Sequence, residues 1–203
     1  DSLNDMKMIQ ESGLGVAMGN AQEAIKKAAD TITDTNDSDG VAKAIEKYPL
    51  TNGLRARIIH AQIINQQVLE LLKTLDIVLD IQPSFVASDF PWVKNRIGES
   101  RMEFAYPWKT FLDNQIACAA GSDAPIEQVN PLLGIEAAVL RKSTIDGKIY
   151  NNNEQLSVFE AVSLYTKGSA YVICHEHDRG QIAPNVVADF TILDKDLFTI
   201  DKD

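Results

Sequence analysis

The sequence is short of cysteine, of net positive charge and of long apolar runs, and each shortage excludes something. Its two cysteines, Cys118 and Cys174, make no disulfide framework, so a reducing cytoplasm is the simplest fit. Lys and Arg number 19 against 29 Asp and Glu, a formal net charge of -10. An acidic chain without a basic stripe argues against nucleic acid and anionic membrane as partners. No apolar run approaches a membrane span, and no signal peptide opens the chain. The first residue is Asp1 rather than Met, as expected of a processed or excised piece. What is present is 203 residues, 45% of them hydrophobic, enough for one ordinary domain or one and a piece.

The chain is organised around Ile116-Ala117-Cys118-Ala119-Ala120-Gly121-Ser122-Asp123-Ala124-Pro125. A small-residue apolar run ending in Gly-Ser-Asp reads as a buried parallel strand that stops at a carboxylate. The carboxyl ends of such strands are where α/β folds place their chemistry. An aspartate there serves equally well as a helix or turn cap. Cys118 reads as a small core residue.

Asp1, Asn4 and Asp5 put three oxygen donors within one turn, the ligand type of Mg²⁺ and also the standard residues of a helix start. Met6 to Glu11 reads as a short helix closed by Gly13, and Leu14 to Gly19 as a strand. Asn20 is expected to cap a helix through Ala29, followed by a short strand at Thr31 to Thr33. Asp39-Gly40 then starts a helix carrying Val41, Ile45 and Tyr48 at helical spacing.

The order Asp1-Ser2-Leu3-Asn4-Asp5-Met6, Gly15-Val16-Ala17-Met18-Gly19-Asn20-Ala21, Ala29-Asp30 and Asp39-Gly40-Val41-Ala42 resembles the C-terminal end of the Cof-type haloacid-dehalogenase-like (HAD) phosphatases. The resemblance covers residues 1 to 48. It implies that Asp1 and Asp5, with Asn4 beside them, correspond to the residues that hold the family's catalytic Mg²⁺. The family's nucleophilic Asp, acid/base Asp and Lys belong upstream of this point, and without an attacking carboxylate there is no phosphoaspartate and no turnover.

Pro49-Leu50-Thr51-Asn52-Gly53 is a breaker cluster, read as a junction at 49–52. Beyond it, Arg55 to Gln62 reads as a strand ending at a histidine. Gln66 to Leu75 reads as a helix with Val68, Leu71, Leu72 and Leu75 on one side, and Ile77 to Ile81 as a strand. A helix from Trp108 to Asn114 leads into the strand at Ile116. Asn130-Pro131 opens a helix through Arg141, and Ser157 with Glu160 forms a capping-box pattern. Val186 to Leu193 reads as a last strand. Strand and helix alternate three times, the grammar of a (β/α) barrel.

Several pieces here, Arg57-Ile58-Ile59-His60-Ala61-Gln62, Gln82-Pro83, Ser88-Asp89 with Trp92, Arg96-Ile97-Gly98, Tyr106-Pro107-Trp108, Gly121-Ser122-Asp123-Ala124-Pro125, Pro131 to Ile135 and Ala188-Asp189-Phe190, follow one another in a recognisable order. They resemble the C-terminal part of the amidohydrolase superfamily, in its YtcJ-like or amidohydrolase-3 branch. The resemblance implies that His60 is the metal-ligand histidine of the sixth barrel strand. It implies that Asp123 is the eighth-strand aspartate, which touches the metal-bound water and shuttles its proton. Zn²⁺ or another divalent ion suits an imidazole and brings water's pKa near neutrality, and a carboxylate beside it can act as base. The sequence departs from the pattern at Ile59, where the family usually has Glu. The first-strand His-x-His, the bridging residue and the fifth-strand histidine belong before Arg55, where the phosphatase-like stretch stands instead. His175-Glu176-His177 is a literal His-x-His but lies late in the chain. It reads as exposed turn histidines, with adventitious metal binding as the alternative.

The expected fold class is α/β. A Rossmann-like HAD fragment (1–48) precedes the last three units of a (β/α) barrel (53–178) and a C-terminal piece of a small β domain (179–203). Three functional readings follow. One is a metal-dependent amidohydrolase portion that cleaves amide or other C–N bonds of a small molecule when complete. Another is the remnant of a Mg²⁺-dependent phosphatase. The favoured one is a chimeric fragment without turnover of its own, prone to self-association through exposed barrel edges.

Overall fold

The computed structural model describes residues 3–48 and 55–200. The chain divides into two compact units, Asp1–Leu54 and Arg55–Asp203.

In the first unit a single 3₁₀ turn, Leu3–Asp5, runs into α1 (Met6–Glu11). Then come β1 (Val16–Ala17), α2 (Glu23–Ala28), β2 (Thr31–Ile32) and α3 (Gly40–Lys47). The two short strands pair in parallel, Val16 opposite Thr31 and Ala17 opposite Ile32. Asp30 supports the crossing by accepting from the Gly15 amide at 2.8 Å. Two expected caps are corrected. The helix after β1 begins at Glu23 behind Gln22, and Asn20 instead accepts from the Asn36 amide at 3.1 Å. An asparagine side chain can hold a distant loop as readily as a helix start. Nor does Gly13 close α1, because extended Ser12 takes that place and its amide reaches the Met8 carbonyl.

The second unit opens with β3 (Ala56–Ile59), α4 (Gln66–Leu72) and β4 (Ile77–Ile81). It continues through α5 (Ser84–Asp89), α6 (Trp92–Ile97), α7 (Trp108–Asp113) and β5 (Ala117–Ala120). After β5 come α8 (Pro131–Leu140), α9 (Val158–Ser163) and, beyond a π-helical turn at Leu164–Gly168, α10 (Ser169–Val172). The sheet is parallel in the order β3-β4-β5. Asn130 and Ser157 cap α8 and α9 as their sequences require, the latter with a complete capping box.

Side chains alternate across a strand, so paired residues sort onto two faces. Leu79, Ile81, Cys118 and Ala120 join the helices in one core with Phe85, Phe90, Trp108 and Phe111. The opposite face carries Arg57, Ile59 and Asp80, with Arg57 ion-paired to Asp80 and Ile59 half exposed. The small residues of β5 admit close helix packing. A Cβ added at Gly168 would lie 2.4 Å from the Cys118 carbonyl oxygen, so only glycine lets the π-turn approach this strand. Burial pushes the Cys118 thiol up to about 12, which keeps it an inert core residue.

Two further expectations fail here. In α4 the buried residues are Leu69 and Leu72, whereas Val68, Leu71 and Leu75 face solvent. The last strand, Val186 to Leu193, is not formed. That segment is irregular, with Phe190 and Ile192 exposed. A strand exists only by pairing, and no described segment pairs with this one.

Candidate active site

The three parallel strands end on one side of the sheet, and the candidate residues sit just past those ends. His60 follows β3 directly, its amide bonded to the Asp80 carbonyl at 2.8 Å. Its φ of 74° is left-handed, and so is the 45° of Ala61. Such torsions cost a non-glycine residue energy and cluster where a side chain must be aimed. The half-buried ring stacks on Phe85 at 5.8 Å. Its Nδ1 lies 2.6 Å from Gln82 Oε1. Gln82, 4% exposed, is in turn oriented by donating Nε2 to the Asp80 carbonyl at 3.0 Å. An amide oxygen can only accept, so with this amide orientation Nδ1 is the donor, and in the neutral ring the free lone pair falls to Nε2. Metal-ligating histidines are held in this way.

Asp123 lies three residues past β5, in the left-handed region at φ 53° and exposed. Its carbonyl accepts from the Ile126 amide at 2.8 Å, which places the residue in a turn. Beside these ends Tyr106 OH donates to Asp89 at 2.6 Å and is approached by Gln62 Nε2 at 3.5 Å. Burial, together with the bond to Asp89, raises the Tyr106 phenol, so it stays a donor. Ser88 donates to Glu127 at 2.6 Å. An open groove of about 450 Å³ runs along β3 and α4, lined by Ile58, Ala61, Gln62 and Ile63 among others.

Neither His60 nor Asp123 belongs to a group of three His, Cys, Asp or Glu with ligand atoms around one point among the described residues. The strand-end set is thus one imidazole and one carboxylate, short of the three protein ligands of a catalytic zinc site. In the first unit Asp5 ends the 3₁₀ turn half-buried, with Asn4 exposed before it. Asp1 lies outside the described residues.

The family model for the amidohydrolase family matches residues 7–203. The chain belongs to the amidohydrolase family. It is 46% identical over 202 residues to YtcJ of Bacillus subtilis (strain 168), a protein named as an amidohydrolase, covering 98% of this chain and 38% of that one. An uncharacterized metal-dependent hydrolase from Pyrococcus furiosus has the same fold with a TM-score of 0.65 and 32% identity, over 87% of this chain and 36% of the other. The chain therefore spans well under half the length of these relatives. A separate likeness is to the 5-amino-6-(5-phospho-D-ribitylamino)uracil phosphatase YcsE of Bacillus subtilis (strain 168), 68% identical over 50 residues, 25% of this chain and 20% of that enzyme. The amidohydrolase family match and the short HAD-type segment together give the chain a chimera-like pattern.

Gln82 is the site residue that sequence reasoning passed over. It was visible as part of Gln82-Pro83 but carried no role. Gln82 follows Ile81 as His60 follows Ile59, at the carboxyl end of a parallel strand, where α/β folds place their chemistry.

Proposed function

We propose that the second unit is the C-terminal portion of a metal-dependent hydrolase acting on amide or other C–N bonds of a small molecule, built as part of a (β/α) barrel. The observation that carries this reading is the His60–Gln82 contact at 2.6 Å, which leaves the His60 Nε2 free at the mouth of a parallel sheet. In this reading His60 is a ligand for Zn²⁺ or a related divalent ion, and Asp123 takes and returns a proton. Such an ion, when bound, supplies a Lewis acid and a water of near-neutral pKa. Gln82 holds the tautomer and Phe85 the ring plane.

Two described ligands do not make a working centre, and we propose that residues 1–203 alone turn over neither amides nor phosphoesters. The reading places the chain in the cytoplasm, consistent with two free cysteines. The exposed edge of β3, with Ile58 and Ile59 open, would favour self-association. Residues 1–48 are read as a HAD-type fragment in which Asp1, Asn4 and Asp5 remain from a Mg²⁺ site, a second reading favoured by the 68% identity to YcsE.

The test is an assay of the purified chain with Zn²⁺ against N-acyl substrates, and with Mg²⁺ against a generic phosphoester. No turnover of either is expected. Zn²⁺-dependent amide hydrolysis that disappears in Asp123→Asn would overturn the inactivity and keep the site. Activity that survives both His60→Ala and Asp123→Asn would overturn the site itself.

A further inference from the structure

His175, His177 and Asp178 offer metal-ligating atoms that all lie within 4.8 Å of one another, far along the chain from the strand-end residues. The two imidazoles stack at 5.8 Å with 17° between their planes. His175 Nδ1 already meets Asp178 Oδ1 at 2.9 Å.

The backbone holds this turn firmly. The His175 amide reaches the Ala170 carbonyl at 2.9 Å, the Asp178 and Arg179 amides return to the His175 carbonyl, and the Val187 amide bonds the Asp178 carbonyl at 2.8 Å. Glu176, between the two histidines, is taken out of competition. Both of its carboxylate oxygens accept from Arg55, which also donates to the Tyr171 carbonyl and lies over the Tyr171 ring at 3.6 Å. With Glu176 turned to Arg55, the local donors left are two imidazoles and one carboxylate.

We propose that His175, His177 and Asp178 form a surface binding site for a first-row divalent transition ion of the Zn²⁺ class. Two nitrogens and one oxygen suit zinc, cobalt, nickel or copper, and do not suit magnesium or calcium, which want oxygen alone. Ligands on one tetrahedral ion at about 2.0–2.1 Å stand roughly 3.3 Å apart. The present spread therefore closes by small ring rotations, without backbone movement. His177 is exposed, so water completes the coordination and the ion has an entry path. Arg179 Nε stands 3.4 Å from Asp178 Oδ1 and occupies part of the carboxylate in the ion's absence. The site is independent of the strand-end reading, since it shares no residue with it.

The chain has only three histidines, so their ring resonances report the site directly. Zn²⁺ titrated into the full chain should shift the rings of His175 and His177 at one equivalent. His177→Ala and Asp178→Asn should each weaken binding at least as much as loss of an outer partner does, about 10- to 100-fold. Arg179→Ala should leave it equal or tighter. The titration is repeated on His60→Ala, whose far-ultraviolet spectrum checks the fold, and binding there should be unchanged. No shift at His175 and His177, or undiminished affinity in His177→Ala, overturns the site. Shifts confined to His60 overturn it too, while supporting the strand-end ligand.

Discussion

Among the described residues of the first unit the buried apolar cluster is Ile9, Ala17, Ala21 and Ile25. In the second unit one connected cluster reaches from Leu69 to Leu164 and includes Phe85, Phe90, Trp108 and Phe111. Burying an isoleucine stabilises by about 1.5–3 kcal/mol, whereas ordering each residue's backbone costs about 1–2 kcal/mol. Two isoleucines and two alanines therefore offset little of what ordering this stretch costs. The second unit has aromatic rings and a three-stranded sheet to set against the same cost. A segment can thus be 68% identical to another protein over 50 residues and hold only a small apolar cluster of its own among the described residues.

Breaking the larger core should have the largest effect. Phe111 is fully buried between α7 and the sheet. Phe111→Ala should cost about 3–5 kcal/mol, read as a drop in the denaturant midpoint of the main unfolding transition. Next in size is Gly168→Ala, which drives a Cβ to 2.4 Å from the Cys118 carbonyl and 3.2 Å from Ala119 Cα. Both neighbours are backbone and cannot swing away, so about 1–3 kcal/mol of overpacking is expected in the same transition. The strain falls on the strand that leads to Asp123, so its loop resonances should shift as well.

The pairing of Arg55 with Glu176 gives a smaller, pH-dependent effect. The hydrogen bonds from Arg55 hold the Glu176 carboxyl down at about 2, from an ordinary 4.5. A carboxyl depressed in the folded state adds stability that is fully present above its unfolded pKa and is lost as pH falls through the folded one. The contribution should therefore be complete above pH 4.5 and fade toward about 2. Glu176→Gln should remove that slope, which is checked by unfolding curves taken across the window.

The parts of the fold legible in the sequence were those set by local chemistry. Ile77 to Ile81, apolar but for Asp80, forms the expected strand, and Asn130 and Ser157 cap their helices through their own side chains. The parts that were not legible depend on partners far away in the chain. Val186 to Leu193 has strand composition, and among the described residues no strand pairs with it. In α4 the inward residues are Leu69 and Leu72, which join the large core cluster, whereas Leu71 stays exposed. His60 was legible as a histidine at a strand end, but the orientation of its ring depends on Gln82, just past the neighbouring strand, and Phe85 from α5. His175 and His177 were visible as a motif, whereas the removal of Glu176 from between them needs Arg55, 121 residues away.

The smallest effect is expected in the first unit and sharpens the comparison with the second. Helix α3 presents Val41 and Ile45, one turn apart, at 60% and 64% exposure. A pattern that would be core-facing in a larger assembly is here on the surface, so it contributes almost nothing to burial. Ile45→Ser should change stability by no more than about 0.5 kcal/mol, as for an ordinary surface position. Ile25→Ala, in the small cluster of the same unit, should disturb that unit alone and leave the main transition in place. Amide exchange read separately at Ile25 and at Leu79 checks both. If Ile45→Ser instead lowers protection across α2 and α3, the apolar stripe of α3 is being buried in solution, and the first unit has found the core that its own residues do not supply.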